Sequence, residues 1–372
     1  TSNRAQTDNE HPRFGRRRCA GEVKPPPRRT SEGQVLKLDQ STIVVTGGAG
    51  LIGSTTVDLL LKEHSPRSIV IFDDFSRGTR ANIEQAIRDP RVSIVEGDIR
   101  DRAAVARVVA GADAVIHMAA LRITACAAEP RLAFEVMCGG TFNVVEAAQA
   151  SGVKKVVAAS TASVYGMAEE FPTTESQHPY GNRTWYGASK MMLEGLLRSF
   201  NDMYGLPYVA LRYFNVYGPR MDIHGKYTEV LIRWMERIDA DQPPLVLGDG
   251  TQTMDFVYVE DIARANVLAL ASDVSDEVFN VAGGVETSLN ELAAALGRAM
   301  GVRVAPEYGP ERKVNPVPRR LASTEKATRM LGFTASVPLD DGLSRLVKWW
   351  GGERVRAWRL GRRSRLPVRW ST

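Results

Sequence analysis

The chain has 372 residues, 44% hydrophobic and 24% charged, a composition that supports a sizeable folded core and excludes a disordered or fibrous protein. No apolar run approaches the ~18 residues a membrane helix needs, and no apolar signal core marks a secretory address, so a soluble cytoplasmic protein without a membrane partner is expected. The net charge of +5 averages basic ends of +5 (residues 1–37) and +6 (residues 351–372) over a body of −6, which argues against a nucleic-acid enzyme.

Residues 1–38, rich in Arg, Pro and Ser, read as a disordered basic leader. From Thr42 the texture changes. Ile43-Val44-Val45 is a short β-branched run of the kind found in buried parallel strands, and an apolar helical pattern follows through Val57, Leu60 and Leu61. Further strands are expected at Ile69–Phe72, Val92–Val95, Ala114–Ile116, Val156–Ala158 and Tyr208–Leu211. Helices are expected at Asn82–Arg88, Arg102–Val109, Leu132–Ala150 and Tyr186–Met203. Strand–helix alternation of this kind predicts an α/β fold, a doubly wound parallel sheet. After Gly218-Pro219 the pattern becomes mixed. A helix is expected over Tyr227–Ile238, short strands at Leu245–Leu247 and Asp255–Val259, and an amphipathic helix at Leu289–Met300. The expected division is a dinucleotide-binding domain over 39–215 with a return segment near 255–272, a smaller mixed α/β substrate lobe over 216–350, and a basic tail over 351–372. The three cysteines, Cys19, Cys126 and Cys138, form no CxxC pair and the five histidines show no ligand spacing, so free thiols and no metal are expected.

Thr46-Gly47-Gly48-Ala49-Gly50-Leu51-Ile52-Gly53 follows the first strand and opens the first helix. Glycines at 47, 50 and 53 permit a tight turn and close approach of a pyrophosphate to free helix N–H groups. About 20 residues on, Asp73-Asp74 ends the second strand, where a carboxylate can accept the ribose hydroxyls of NAD and repel a 2′-phosphate. Arg77 and Arg80 nearby are the residues a 2′-phosphate would want. Asp98, after the third strand, suits either the adenine edge or the N-cap of the helix beginning near Arg102.

Tyr186 and Lys190 lie four apart, one helical turn, on one face. A free phenol has a pKa of about 10 and is a poor base at neutral pH; a neighbouring ammonium favours phenolate. Ser160-Thr161 follows the fifth strand on the same sheet edge, where a hydroxyl can orient a reacting oxygen towards Tyr186.

The ordered set TGGAGLIGS (46–54), FDDFSRG (72–78), GDI (97–99), HMAA (117–120), STASVYG (160–166), YGASK (186–190), RYFNVYGPR (212–220) and GDGTQTMDFVYVEDIARA (248–265) resembles the extended short-chain dehydrogenase/reductase family, in particular its NAD-dependent nucleotide-sugar epimerases. The resemblance implies NAD contacts from Gly47, Gly50, Leu51, Ile52, Gly53, Asp73, Asp74, Asp98, Ile99, Met118, Ala119, Ala120, Arg122 and Phe214, with Tyr186 and Lys190 touching the cofactor as well. It implies catalysis by Thr161, Tyr186 and Lys190. Nucleotide-sugar contacts are implied for Thr161, Asn215 and Arg312, with Arg319 and Arg320 as rivals to Arg312. The reaction implied is 4-epimerisation of a UDP-sugar through a transient 4-keto sugar, and relatives imply a homodimer. The alternatives are an NAD(P)H-dependent ketoreductase or a non-catalytic nucleotide sensor.

Three departures stand out. Family 4,6-dehydratases carry an Asp-Glu pair where this chain has Ala162-Ser163. Met137 stands where Asn is usual, and Met254 where many relatives place a diphosphate-holding Arg. Leu321, where some relatives have Tyr, is expected to leave room for an N-acetyl group.

Overall fold

The β-branched runs form strands β1 (Thr42–Thr46), β2 (Ser68–Asp73), β3 (Val92–Glu96), β4 (Ala114–His117), β5 (Lys155–Thr161) and β6 (Tyr208–Tyr213) of a computed structural model that describes residues 36–223, 229–311 and 316–359. Between them run helices α1 (Leu51–Glu63), α2 (Arg102–Val109), α3 (Ile123–Ala128), α4 (Pro130–Phe134), α5 (Thr141–Ala150) and α6 (Trp185–Tyr204). The chain continues through β7 (Asn215–Tyr217), α7 (Val230–Asp239), β8 (Leu245–Leu247), β9 (Thr253–Tyr258), α8 (Val259–Ala271), β10 (Glu277–Val281), β11 (Glu286–Ser288), α9 (Leu289–Ala299), β12 (Glu307–Gly309), α10 (Glu325–Leu331) and α11 (Leu339–Arg359).

The main sheet has seven parallel strands in the order β10-β6-β5-β4-β1-β2-β3. Side chains alternate across its two faces. Ile43, Val45, Ile69 and Ile71 pack beneath α1 and α8, against Val57, Leu60 and Ile262. Val44, Val115, Val156 and Ala158 pack on the opposite face, against Val105, Val144, Leu193 and Leu197 of α2, α5 and α6. Burial on both faces explains why the strands read as apolar runs. A second core joins α7, α9 and α11 through Trp234, Met235, Leu292, Leu296, Leu343, Leu346 and Trp350. Small sheets β11-β9-β7 and β12-β8 complete this lobe.

Several expectations are corrected. Asn82–Arg88 is not an α-helix but two 3-10 turns, Arg80–Ile83 and Ala86–Arg88. The Asn82 side chain donates to the Ala49 carbonyl at 2.9 Å, and Asp89-Pro90 closes the segment before a longer helix can form. The helix expected over Leu132–Ala150 is interrupted by a π-helical segment at Glu135–Gly140, a stretch weakened by Gly139-Gly140. A Cβ at Gly140 would fall 2.6 Å from Ile99. The strand β10 lies at the sheet edge, outside the segments expected to build it. Helix α11 runs past residue 350 to Arg359, so patterning continues into part of the basic tail. Leu36 and Leu38 are buried, so the folded core begins before residue 39.

Candidate active site

The strands' carboxyl ends and the second lobe enclose one cleft of about 1460 Å³. Drug-sized ligand pockets span roughly 300–1,000 Å³, so this cleft has room for a dinucleotide and a second ligand. Apart from the rival Arg319, every described residue assigned above to the cofactor, the substrate or catalysis lines it. Arg312 lies outside the described residues.

The glycine turn forms its adenosine side. Gly47 has φ +70°, and a Cβ there would sit 2.7 Å from the Ala119 backbone nitrogen. A Cβ on Gly53 would be 2.3 Å from the Gly47 carbonyl oxygen. These two contacts allow only glycine. No side chain caps α1 at Gly50, which leaves the first-turn N–H groups of Leu51, Ile52 and Gly53 for an anion in the cleft. Asp73 accepts from the Ala49 and Phe75 N–H groups, each at 2.9 Å, and so ties the turn to the end of β2. Burial raises its pKa against those two hydrogen bonds. Asp74 accepts from the backbone and side chain of Ser76. Asp98 pairs with Arg100 at 2.6 Å, which holds its carboxyl below the ordinary range. The N-cap of α2 is Asp101, not Asp98, which leaves Asp98 to the cleft. The glycines, the β2 aspartates and the open helix terminus fit the pyrophosphate and ribose of a dinucleotide.

The stretch after β4 forms the floor. Met118 N–H donates to the Thr46 carbonyl at 3.0 Å. Met137 offers its sulfur to the Leu121 N–H at 3.1 Å, so the thioether takes a backbone donor. Arg122 pairs with Glu229, at the start of α7, at 2.7 Å. That pair bridges the two lobes, and burial raises the Glu229 pKa despite it.

Thr161 ends β5 and Tyr186 lies in the first turn of α6, started by the Thr184 side chain capping Gly187 N–H. The Tyr186 phenol lies beside the Thr161 hydroxyl; burial raises its pKa, and the neighbouring hydroxyl opposes the rise. The expected role of Lys190 is modified here. Its Nζ donates to the Ala159 carbonyl at 2.7 Å, and the cations acting most on the phenol are Arg77 and Arg320. Burial brings Lys190 down to about 8. Phe214 packs on Tyr165 with ring centroids 6.4 Å apart, and Asn215 donates to the Asp255 carbonyl at 3.0 Å.

Of the rival arginines, Arg319 turns away to a bidentate pair with Glu286, at 2.7 and 2.9 Å, while Arg320 is buried and lines the cleft. Leu321 does not line it. The segment is extended, bridged to Thr253 and Thr173, so successive side chains alternate and Leu321 faces opposite to Arg320. Residue types alone could not reveal that Arg77 acts on the phenol or that Glu229 lines the cleft, because the packing that brings them there is long-range.

The fold and site define a dinucleotide-binding enzyme whose cleft is lined by Thr161, Tyr186 and Lys190. A family model described as "NAD dependent epimerase/dehydratase family" matches residues 43–282, and the chain belongs to that family. It is 34% identical over 310 residues to a putative UDP-glucose 4-epimerase of Methanocaldococcus jannaschii, covering 82% of this chain and 97% of that one. A solved UDP-N-acetylglucosamine 4-epimerase of Methanobrevibacter ruminantium, in complex with UDP-N-acetylmuramic acid, is 32% identical with a TM-score of 0.79, covering 85% and 99%. A UDP-glucose 4-epimerase of Thermotoga maritima, solved with UDP-glucose, is 33% identical with a TM-score of 0.78, covering 84% and 99%.

Proposed function

We propose that the protein is an NAD-dependent 4-epimerase of a UDP-linked sugar. The observation that carries this reading is the Tyr186 phenol beside the Thr161 hydroxyl, both lining the same cleft as the glycine turn. NAD, when bound, supplies a hydride acceptor and donor. Gly47, Gly50 and the first turn of α1 hold its pyrophosphate, and Asp73 its adenosine ribose. Thr161 would orient the sugar 4-hydroxyl, and Tyr186, as the phenolate that Arg77 and Arg320 favour, would take its proton and return it to that oxygen. Lys190, charged below about pH 8, holds the cofactor's second ribose. Arg320, one of the rivals named to Arg312, provides a second-lobe cation for the substrate among the described residues. Ala162 and Ser163 offer no acid–base pair for losing water, so dehydration is not the reaction.

The test incubates the protein with UDP-glucose, UDP-galactose and their N-acetyl and uronate counterparts, with product analysis by NMR. Inversion at C4 without net NADH formation supports the reading. Stoichiometric NAD(P)H consumption on a 4-keto sugar would replace it with the reductase.

The working form is a homodimer in the cytoplasm. Phe134 stacks on Trp185 at 6.4 Å and Phe142 meets Phe200 edge-on at 5.9 Å. Phe134, Phe142, Trp185 and Met203 are exposed, an apolar stripe along α4, α5 and α6 that a second copy would cover. Among the described residues no helix is long and apolar enough to cross a membrane.

A further inference from the structure

Helix α6 carries a third residue on the face of Tyr186 and Lys190. Glu194 follows at the next turn, so the three side chains are stacked at spacing i, i+4, i+8. Each meets one of three consecutive residues at the carboxyl end of β5. Tyr186 lies beside the Thr161 hydroxyl, which acts on its phenol. Lys190 donates to the Ala159 carbonyl at 2.7 Å. Glu194 accepts the hydroxyl of Ser160. The same carboxylate binds Arg212 on β6 in a bidentate pair, with Nε at 2.9 Å and Nη2 at 2.7 Å. Arg212 is register partner to Ser160 in the sheet, as Tyr213 is to Thr161.

This carboxylate therefore joins the helix and both strands one residue short of the reacting hydroxyl. The joint continues outward. Arg212 Nη1 donates to the Tyr165 hydroxyl at 2.8 Å, and that hydroxyl donates to Asn280 of β10 at 2.6 Å. Tyr165 in turn packs on Phe214 in the cleft. Ser160, Tyr165, Arg212 and Asn280 are all buried. A buried bidentate ion pair contributes little net stability, because desolvation offsets the attraction, but it fixes geometry tightly.

We infer that Glu194 is a positioning residue: by locking α6 to β5 and β6 through Ser160 and Arg212, it sets the Tyr186 phenol against the Thr161 hydroxyl. The inference rests on the reading of Tyr186 as the base, and the function of Glu194 is to hold that base in register. Small displacements of reacting groups cost rates steeply, about 100-fold for about 1 Å.

The test uses Ser160→Ala, Glu194→Gln and Glu194→Asp in the full chain. The first readout needs no substrate: the Tyr186 titration, followed by NMR with isotope-labelled tyrosine and assigned by its loss in Tyr186→Phe. Burial raises the Tyr186 pKa and the Thr161 hydroxyl lowers it, while Cys126 raises it and Arg77 and Arg320 lower it. Loosening the joint moves the titration to higher pH in Ser160→Ala and Glu194→Gln, with partial return in Glu194→Asp. The second readout is turnover, where kcat falls about tenfold or more with KM within about twofold. If Glu194→Gln fails to fold because Arg212 is left buried without its partner, Ser160→Ala carries the test. Folded variants with an unmoved Tyr186 titration overturn the inference. A moved titration in a protein that turns over no nucleotide sugar would overturn the proposed reaction and leave the positioning role standing.

Discussion

The Lys190 ammonium donates to the Ala159 carbonyl at 2.7 Å, two residues before Thr161, whose hydroxyl lies beside the Tyr186 phenol. The lysine thus clamps the catalytic helix to the strand edge, and burial brings its own pKa down to about 8. Turnover of the saturated enzyme is therefore expected to decline as pH rises through about 8, where Lys190 loses its proton. Lys190→Met is expected to lower kcat about 100-fold or more and to abolish that alkaline limb. Steady-state kinetics from pH 6 to 10 check both; a wild-type profile flat to pH 10 contradicts the assignment.

Tyr186→Phe keeps the ring and removes the phenolic oxygen. The expected loss in kcat is about 100-fold to 10,000-fold, the usual contribution of a positioned acid–base group. NAD affinity should change little, as isothermal titration would show.

Gly53→Ala should fail where Gly50→Ala succeeds. The Cβ at 53 would press on the Gly47 carbonyl oxygen at 2.3 Å and the Gly48 Cα at 2.7 Å, both backbone. At 50 the nearest contact is 3.3 Å. Calorimetric NAD binding and the unfolding midpoint should both drop for Gly53→Ala, with a smaller fall in stability for Gly50→Ala.

His117 is buried between Thr46 and Thr141, with ring nitrogens 2.7 and 3.2 Å from the two hydroxyls. Burial lowers its pKa to about 3. In the unfolded chain it titrates near 6.5, so between about pH 6.5 and 3 the unfolded state binds the extra proton. Its contribution to stability is present above pH 6.5 and is lost as pH falls, by about 1.4 kcal/mol per unit. Asp255 works oppositely: burial raises it to about 6, so its contribution is present below about 3.9 and is lost as pH rises through 6. Urea midpoints of His117→Gln should fall less steeply with acid than those of the parent.

Phe142→Glu should convert a dimer to monomer without unfolding it, since Phe142 is 41% exposed and sits in the apolar stripe. Sedimentation velocity decides the point; a parent that is already monomeric at micromolar concentration removes the dimer from the reading.

The main sheet was largely legible because buried parallel strands are written as continuous β-branched runs such as Ile43–Val45 and Ile69–Phe72. Strand β10 escaped notice because Asn280 interrupts its apolar run, and that side chain is satisfied only by Tyr165, Thr173 and Ser323, distant in sequence. The glycine turn and the Tyr186–Lys190 pair were legible because their chemistry depends on local spacing. Glu194 and the pairing of Arg122 with Glu229 were not, since each acquires its role from a partner built by a remote segment. Arg319 and Arg320 show the limit well: adjacent and chemically identical, they are separated by strand alternation alone.

The edge position of β10, reached only after the chain has left the nucleotide-binding half and returned, ties the two halves together like a lace through both sides of a shoe. A gene truncated near residue 216 would lose both that edge strand and α8, the helix covering α1, and would expose apolar surface on two sides of what remained. Neither half is a module that can be transplanted by itself, and engineered chimaeras must exchange residues within the weave.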